Sequence, residues 1–104
     1  MVARIWEGRT SLAKAEAYKK FLLKVAVHDY KSVKGLLSIQ FLYREENNEA
    51  HFTLITFWPS FDVIKKFAGP DYEKAKYYPD DHGYLLDFPE KVKHYEVFYK
   101  ELIN

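Results

Sequence analysis

Residues 36–58 read LLSIQFLYREENNEAHFTLITFW, and the fold turns on how this stretch is divided. Two apolar, β-branched and aromatic runs flank a polar EENNE segment, which predicts two antiparallel strands joined by a turn at Glu46–Glu49. Working outward, MVARIWEG at the N-terminus alternates as a first strand. Thr10 or Ser11 then offers an N-cap for LAKAEAYKKFLLKVAVHDY. There Ala15, Tyr18, Phe21, Leu22 and Val25 recur at helical spacing, while Lys14, Lys19, Lys20 and Lys24 take the wet side. Gly35 ends that segment. On the other flank Ser60 caps a second helix, with Phe61, Ile64, Phe67 and Ala68 as its stripe. Gly69-Pro70 interrupts it, Asp71 recaps a further turn or two through Tyr78, and Pro79 closes it. HYEVFYKEL supplies the last strand.

The order is β-α-β-β-α-β, an α+β ferredoxin-like arrangement with a four-stranded antiparallel sheet, expected as a single domain over residues 1–104. Both helices lie on one face of such a sheet. The other face is not very polar here, and a patch of that size calls for a cover, so a homodimer packed sheet to sheet is expected.

Composition narrows the chemistry. Sixteen basic and 15 acidic side chains leave a formal charge of +1, which gives no electrostatic reason to expect nucleic acid or an anionic membrane. No apolar run approaches the roughly 20 residues that span a bilayer, and the N-terminus does not read as a signal peptide, so a cytoplasmic protein is expected. With no cysteine, disulfides, thiolate nucleophiles and cysteine-based metal sites are excluded. Nine Tyr and eight Phe make the chain rich in aromatic surface.

Strand parity supplies candidate site residues. With Ala3 and Ile5 toward the helices, Arg4 and Trp6 point to the far side of the sheet. The polar-bearing rows then gather Arg4, Trp6, Gln40, His51, Thr53, His94 and Glu96, on the expectation that they share one face. His51 and His94 titrate near neutrality and suit proton transfer, with Arg4 as the cation beside them. The competing reading pairs Arg4 with Glu96 across the sheet and gives each histidine a backbone carbonyl. His51, His94 and Glu96 lack any local metal-ligand spacing, so no metal site is expected. In GPDYEKAKYYPDDHGY, residues 69–84, the consecutive Asp80, Asp81 and His82 diverge and read as a solvated turn. The tyrosines of that stretch read as an aromatic lid, with Tyr77 closest to any ligand. Trp58 anchors the strand-to-helix turn, and His28 serves the helix C-terminus.

The segments ARIWEGRT, HFTLITFWPSFDVIKKFAG and YEKAKYYPDD…HYEV resemble the antibiotic-biosynthesis-monooxygenase-like members of the dimeric α+β barrel superfamily, over nearly the whole chain. That resemblance implies the dimeric barrel. It also implies a small cofactor-independent monooxygenase acting on an electron-rich aromatic or polyketide-like compound, the substrate itself supplying the electrons. Arg4, His51 and His94 would then be catalytic, and Trp6, Gln40 and Tyr77 would bind substrate, without metal or flavin. The heme-degrading branch of the superfamily uses an asparagine on the first strand, a tryptophan late in the second helix and a histidine beyond it. Phe67 and Tyr77 stand at the latter two positions and the first strand has no asparagine, which disfavours heme degradation. A non-catalytic ligand-binding or stress-related dimeric module is the alternative. An RNA-recognition module shares the element order, but HFTLITFW lacks the glycine and basic residues such a strand needs.

Overall fold

A computed structural model describes all 104 residues. Four strands form one antiparallel sheet: β1 (Val2–Ser11), β2 (Ser38–Glu46), β3 (Glu49–Trp58) and β4 (Lys93–Glu96). Their order across the sheet is β2-β3-β1-β4, so the first and third strands are central. The hairpin forms as the sequence demands. Asn47 and Asn48 take φ of 53° and 62°, the left-handed conformation that a two-residue hairpin loop requires and asparagine tolerates.

One helical rod runs from 12 to 31. A 3-10 turn at Leu12–Lys14 leads into α1 (Ala15–Phe21), a π turn at Leu22–Ala26 and α2 (Val27–Lys31). In the π turn the Val27 N–H reaches the Leu22 carbonyl, five residues back. The extra residue shifts the buried stripe, which becomes Ala15, Tyr18, Leu22, Ala26 and Tyr30, and leaves the expected Val25 only half-buried. α3 (Phe61–Ala68) is capped by Ser60, whose Oγ accepts the Val63 N–H at 3.4 Å, and it buries Ile64 and Phe67. Gly69, at φ 88°, ends it.

Residues 71–78 are not helical, contrary to expectation. A single turn, closed by the Lys74 N–H on the Asp71 carbonyl at 3.1 Å, is followed by backbone held beside 90–92, where the Ala75 N–H donates to the Glu90 carbonyl at 2.8 Å and the Val92 N–H to the Glu73 carbonyl at 2.9 Å. A 3-10 turn, Pro79–Gly83, follows. The last strand is also shorter than expected and ends at Glu96. Beyond it, Phe98, Tyr99, Leu102 and Ile103 project into solvent, Phe98 at 98% exposure.

The faces of β1 and β4 are the reverse of the parity assigned from sequence, while Gln40, His51 and Thr53 of the hairpin lie on the uncovered face as assigned. Register sets Val2, Arg4, Trp6, Gly8 and Thr10 opposite Trp58, Thr56, Leu54, Phe52 and Ala50, and this is the row the helices cover. Leu54, Trp58 and Ile64 pack with Tyr18, Leu22 and Tyr30 as the core. The uncovered face carries Ile5, Leu42, Ile55, Phe57 and Tyr95, together with Glu7, Arg9, Gln40, His51 and Thr53.

Candidate functional site

Arg4 sits at the centre of the covered face and is 2% exposed. Its Nη1 donates to the Tyr72 carbonyl at 2.5 Å and lies 3.0 Å from His94 Nε2, and its Nη2 donates to the Lys74 carbonyl at 3.1 Å. Tyr72 sits in a turn closed by the Lys74 N–H on the Asp71 carbonyl at 3.1 Å, and Arg4 ties two carbonyls of that segment to the sheet. No carboxylate joins this cluster: the expected pairing of Arg4 with Glu96 is absent, and His94, directly opposite on β4, takes that place. Burial lowers the Arg4 pKa, and Tyr30 nearby opposes the shift. His94 is pushed down to about 4, first by desolvation and then by the Arg4 charge, with Glu73 opposing. Its ring is therefore neutral at pH 7, with the Nε2 lone pair facing the guanidinium and the proton on Nδ1.

Arg4 lines a small cavity between sheet and helices, with Trp6, Tyr18, Tyr30, Lys76, Tyr78 and Asp81 as its other polar groups and Leu22 on its wall. About 20 Å³ is free inside, enough for one water. Phe67 stacks on Tyr30 at 4.5 Å, with the Lys76 ammonium 4.3 Å from its ring centre. Tyr30, pushed up to about 12 by burial, stays a phenol. Trp6 Nε1 is buried and makes no hydrogen bond. It lies close enough to the Tyr77 hydroxyl to favour that group's ionised form, although burial dominates and raises the Tyr77 pKa.

Of the residues predicted from sequence, Arg4, Trp6 and His94 come together on the covered face, and Tyr77 packs edge-on against Trp6 at 6.2 Å. Tyr77 is pinned, its hydroxyl donating to the Pro89 carbonyl. His51 and Gln40 do not join them. Register places His51 opposite Arg9 and Arg44, and Gln40 opposite Ile55, all on the uncovered face. His51 makes the backbone contact of the alternative reading, 3.3 Å from the Glu46 carbonyl. The shared-face assignment failed because a charged Arg4 was sent to the solvent side, whereas backbone carbonyls satisfy it inside.

Sequence reasoning missed Asp81. Asp80 and His82 are solvated as expected, but Asp81 is 2% exposed. Its Oδ1 accepts from the Tyr18 hydroxyl at 3.0 Å and its Oδ2 from the Tyr78 N–H at 2.7 Å, and burial raises its pKa. The available signal was positional: two residues after Pro79, an aspartate stands where its carboxylate can reach back to cap the turn. Tyr78 in turn donates to Asp29 at 2.7 Å, and Lys76 pairs with Asp29 at 2.8 Å, tying the lid to the long helix.

The sequence matches no known family pattern, and no curated protein matches it. Among solved structures it resembles an arginine-to-serine mutant of MhuD, described with two manganese protoporphyrin IX molecules bound per active site. The TM-score is 0.62 at 17% identity, covering 97% of this chain and 98% of that one. At that identity the likeness establishes the fold, the ferredoxin-like α+β architecture found here. As it stands the cavity has room for one water, and the Tyr77 hydroxyl is committed to Pro89.

Proposed function

We propose that residues 1–104 act as a single small-molecule-binding domain that works as a homodimer in the cytoplasm. Its ligand is an electron-rich aromatic compound bearing a hydroxyl group, taken into the layer between sheet and helices. The observation that carries this reading is the buried Arg4 guanidinium, which lines an aromatic-walled cavity and makes no hydrogen bond to a carboxylate. Such a group stabilises a phenolate or enolate oxygen more strongly than the neutral hydroxyl, which is what activation of a phenol toward oxygen requires. Cofactor-independent monooxygenation is the finer form of the proposal. Arg4 would hold the oxygen anion, neutral His94 would orient Arg4, and Trp6 and Tyr77 would form the aromatic wall. The cavity's small free volume favours a second reading, a binding module without turnover.

Dimerisation rests on the uncovered face. Ile5, Leu42, Ile55 and Phe57 form an apolar centre there, ringed by Glu7, Arg9, Arg44 and His51. Sedimentation at micromolar concentration is expected to give a dimer, and Ile55→Lys a monomer; a monomeric native chain refutes this part. Oxygen consumption with anthrone-like phenols tests the chemistry. Uptake that falls at least about tenfold in Arg4→Lys supports the oxygenase reading. Binding without uptake leaves the module reading.

A further inference from the structure

One margin of the sheet is open and unprotected. β2 pairs with β3 alone, so its outer edge presents backbone N–H and C=O groups to no neighbouring strand. Outer strands are ordinarily blunted by lysine, proline or a bulge. Ser38–Tyr43 instead runs for six residues without a charge or a proline, in unbroken register with β3. Apolar recesses follow that edge. A groove of about 220 Å³ lies between it and the long helix, lined chiefly by Leu22, Leu23, Phe41, Leu42 and Tyr43. A second recess, at Leu36, Leu37 and Ile39, continues along the start of the strand. Open recesses on successive stretches of one unpaired strand suit an extended chain, which meets an edge with its backbone and fills pockets with alternate side chains.

The chain also holds a strand-like segment without a sheet. Val97–Asn104, VFYKELIN, belongs to no helix or strand, and its Phe98, Tyr99, Leu102 and Ile103 are each at least 71% exposed. In an extended chain Phe98 and Leu102 share one row and Tyr99 and Ile103 the other, so both faces of the segment call for apolar cover. The tail leaves β4 where the Val97 N–H donates to the Met1 carbonyl at 2.9 Å, at the margin opposite β2. Three strand spacings, about 14 Å, separate it from its own β2. That crossing would use about half of the roughly 26 Å that eight extended residues span. The tail turns instead toward the uncovered face, where the Lys100 ammonium lies 5.0 Å from the Phe57 ring centre. A second sheet packed on that face would stand about 10 Å away, well within the tail's reach.

Resting on the homodimer of the preceding section, we propose that the C-terminal tail of each copy docks as an added strand on the outer edge of β2 in the other copy. Its apolar side chains enter the groove beside Leu23 on one face and cover Leu42 on the other. Each copy offers one tail and one edge, so a two-fold axis satisfies both exchanges and closes the assembly at two chains. Main-chain hydrogen bonds to the open edge supply affinity, and the recesses select the side chains. The exchange removes the exposed edge and the exposed tail together, which neither copy can do alone. The groove so filled is part of the dimer interface and is separate from the Arg4 cavity.

The chain has no cysteine, so introduced thiols report one contact at a time. Full-length protein carrying Leu42→Cys is mixed, under oxidising conditions, with protein carrying a single cysteine at each position from Phe98 to Ile103 in turn. Directly opposed residues of paired strands have Cα atoms about 4.5–5.5 Å apart, a distance a disulfide spans. A covalent dimer of the two species is therefore expected to peak at one tail position, well above the yield with Asp80→Cys, an exposed control. In sedimentation, Phe98→Asp with Leu102→Asp, and separately Leu23→Asp in the groove, are each expected to raise the dimer dissociation constant at least about tenfold. All three positions are exposed, so an unchanged circular dichroism spectrum is expected. No tail position above the control, or a dimer indifferent to both sets of substitutions, overturns the proposal and leaves the sheet-to-sheet dimer standing. A disulfide that forms within one doubly substituted chain, but not between singly substituted chains, does the same. A native chain that sediments as a monomer sinks both readings. Tail-to-edge cross-linking in an Ile55→Lys protein that stays dimeric sinks the sheet-to-sheet packing alone.

Discussion

Acidification tests the contact between Arg4 and His94. In the folded protein the His94 ring lies against the guanidinium and titrates at about 4 rather than at the ordinary 6.5. At neutral pH the ring is uncharged in both folded and unfolded chains, and the contact contributes its full stability. As pH falls through 6.5 the unfolded chain takes up a proton that the folded chain refuses, so stability is lost between 6.5 and about 4 and levels off below. At about 1.4 kcal/mol per pH unit the ceiling is about 3.4 kcal/mol. His94 is only half-buried, and water screens its ring, so about 1–2 kcal/mol is the expected loss. Carboxylates elsewhere also titrate in this range, so the comparison is with His94→Gln, which keeps an acceptor for Arg4 and cannot ionise. Urea denaturation at pH 7 and pH 4 is expected to show the native protein losing about 1–2 kcal/mol more than the variant. Equal losses, with an NMR titration of the His94 ring centred near 6.5, would refute the reasoning.

Other expectations follow from the same geometry. Tyr18→Phe removes the donor to Asp81 Oδ1 and leaves a buried carboxylate half-satisfied, at a cost of about 1–3 kcal/mol in chemical denaturation. Gly8→Ala would place a Cβ 2.2 Å from the Trp6 ring, which is buried and cannot withdraw freely. A loss of about 1–3 kcal/mol and a changed near-UV circular dichroism spectrum are expected. Asn48→Val, at φ 62°, should cost about 1 kcal/mol or more by thermal melting, whereas Asn48→Gly should be tolerated.

The element order was legible because three of its signals are local. Asn47-Asn48 demands a hairpin loop, Ser60 caps a helix, and the strand runs are apolar enough to stand out. The faces of the hairpin strands were legible, but those of β1 and β4 were not. Period-two alternation fixes which residues share a face but not which face the helices cover, and a buried arginine inverts the guess. What satisfies Arg4 is a pair of carbonyls some 70 residues away, Tyr72 and Lys74, about which local pattern says nothing. The same long-range bonds explain why 71–78 forms a turn and an irregular run rather than a helix despite its helical composition. Of the candidate site, Arg4, Trp6, His94 and Tyr77 were visible as residue types. Asp81 was hidden because two solvated neighbours, Asp80 and His82, mask one inward-turned carboxylate.

The central place of β1 has a consequence for synthesis. Its edge toward β4 is completed only by a strand from the far end of the chain, with His94 lying 90 residues from Arg4. A nascent polypeptide still threaded through the ribosome would hold the hairpin and the helices with Arg4 already desolvated by them and its clamp unmade. Closure of the sheet therefore waits until β4 has emerged, and any interruption of translation before His94 leaves a trapped guanidinium and an open strand edge for quality control to recognise.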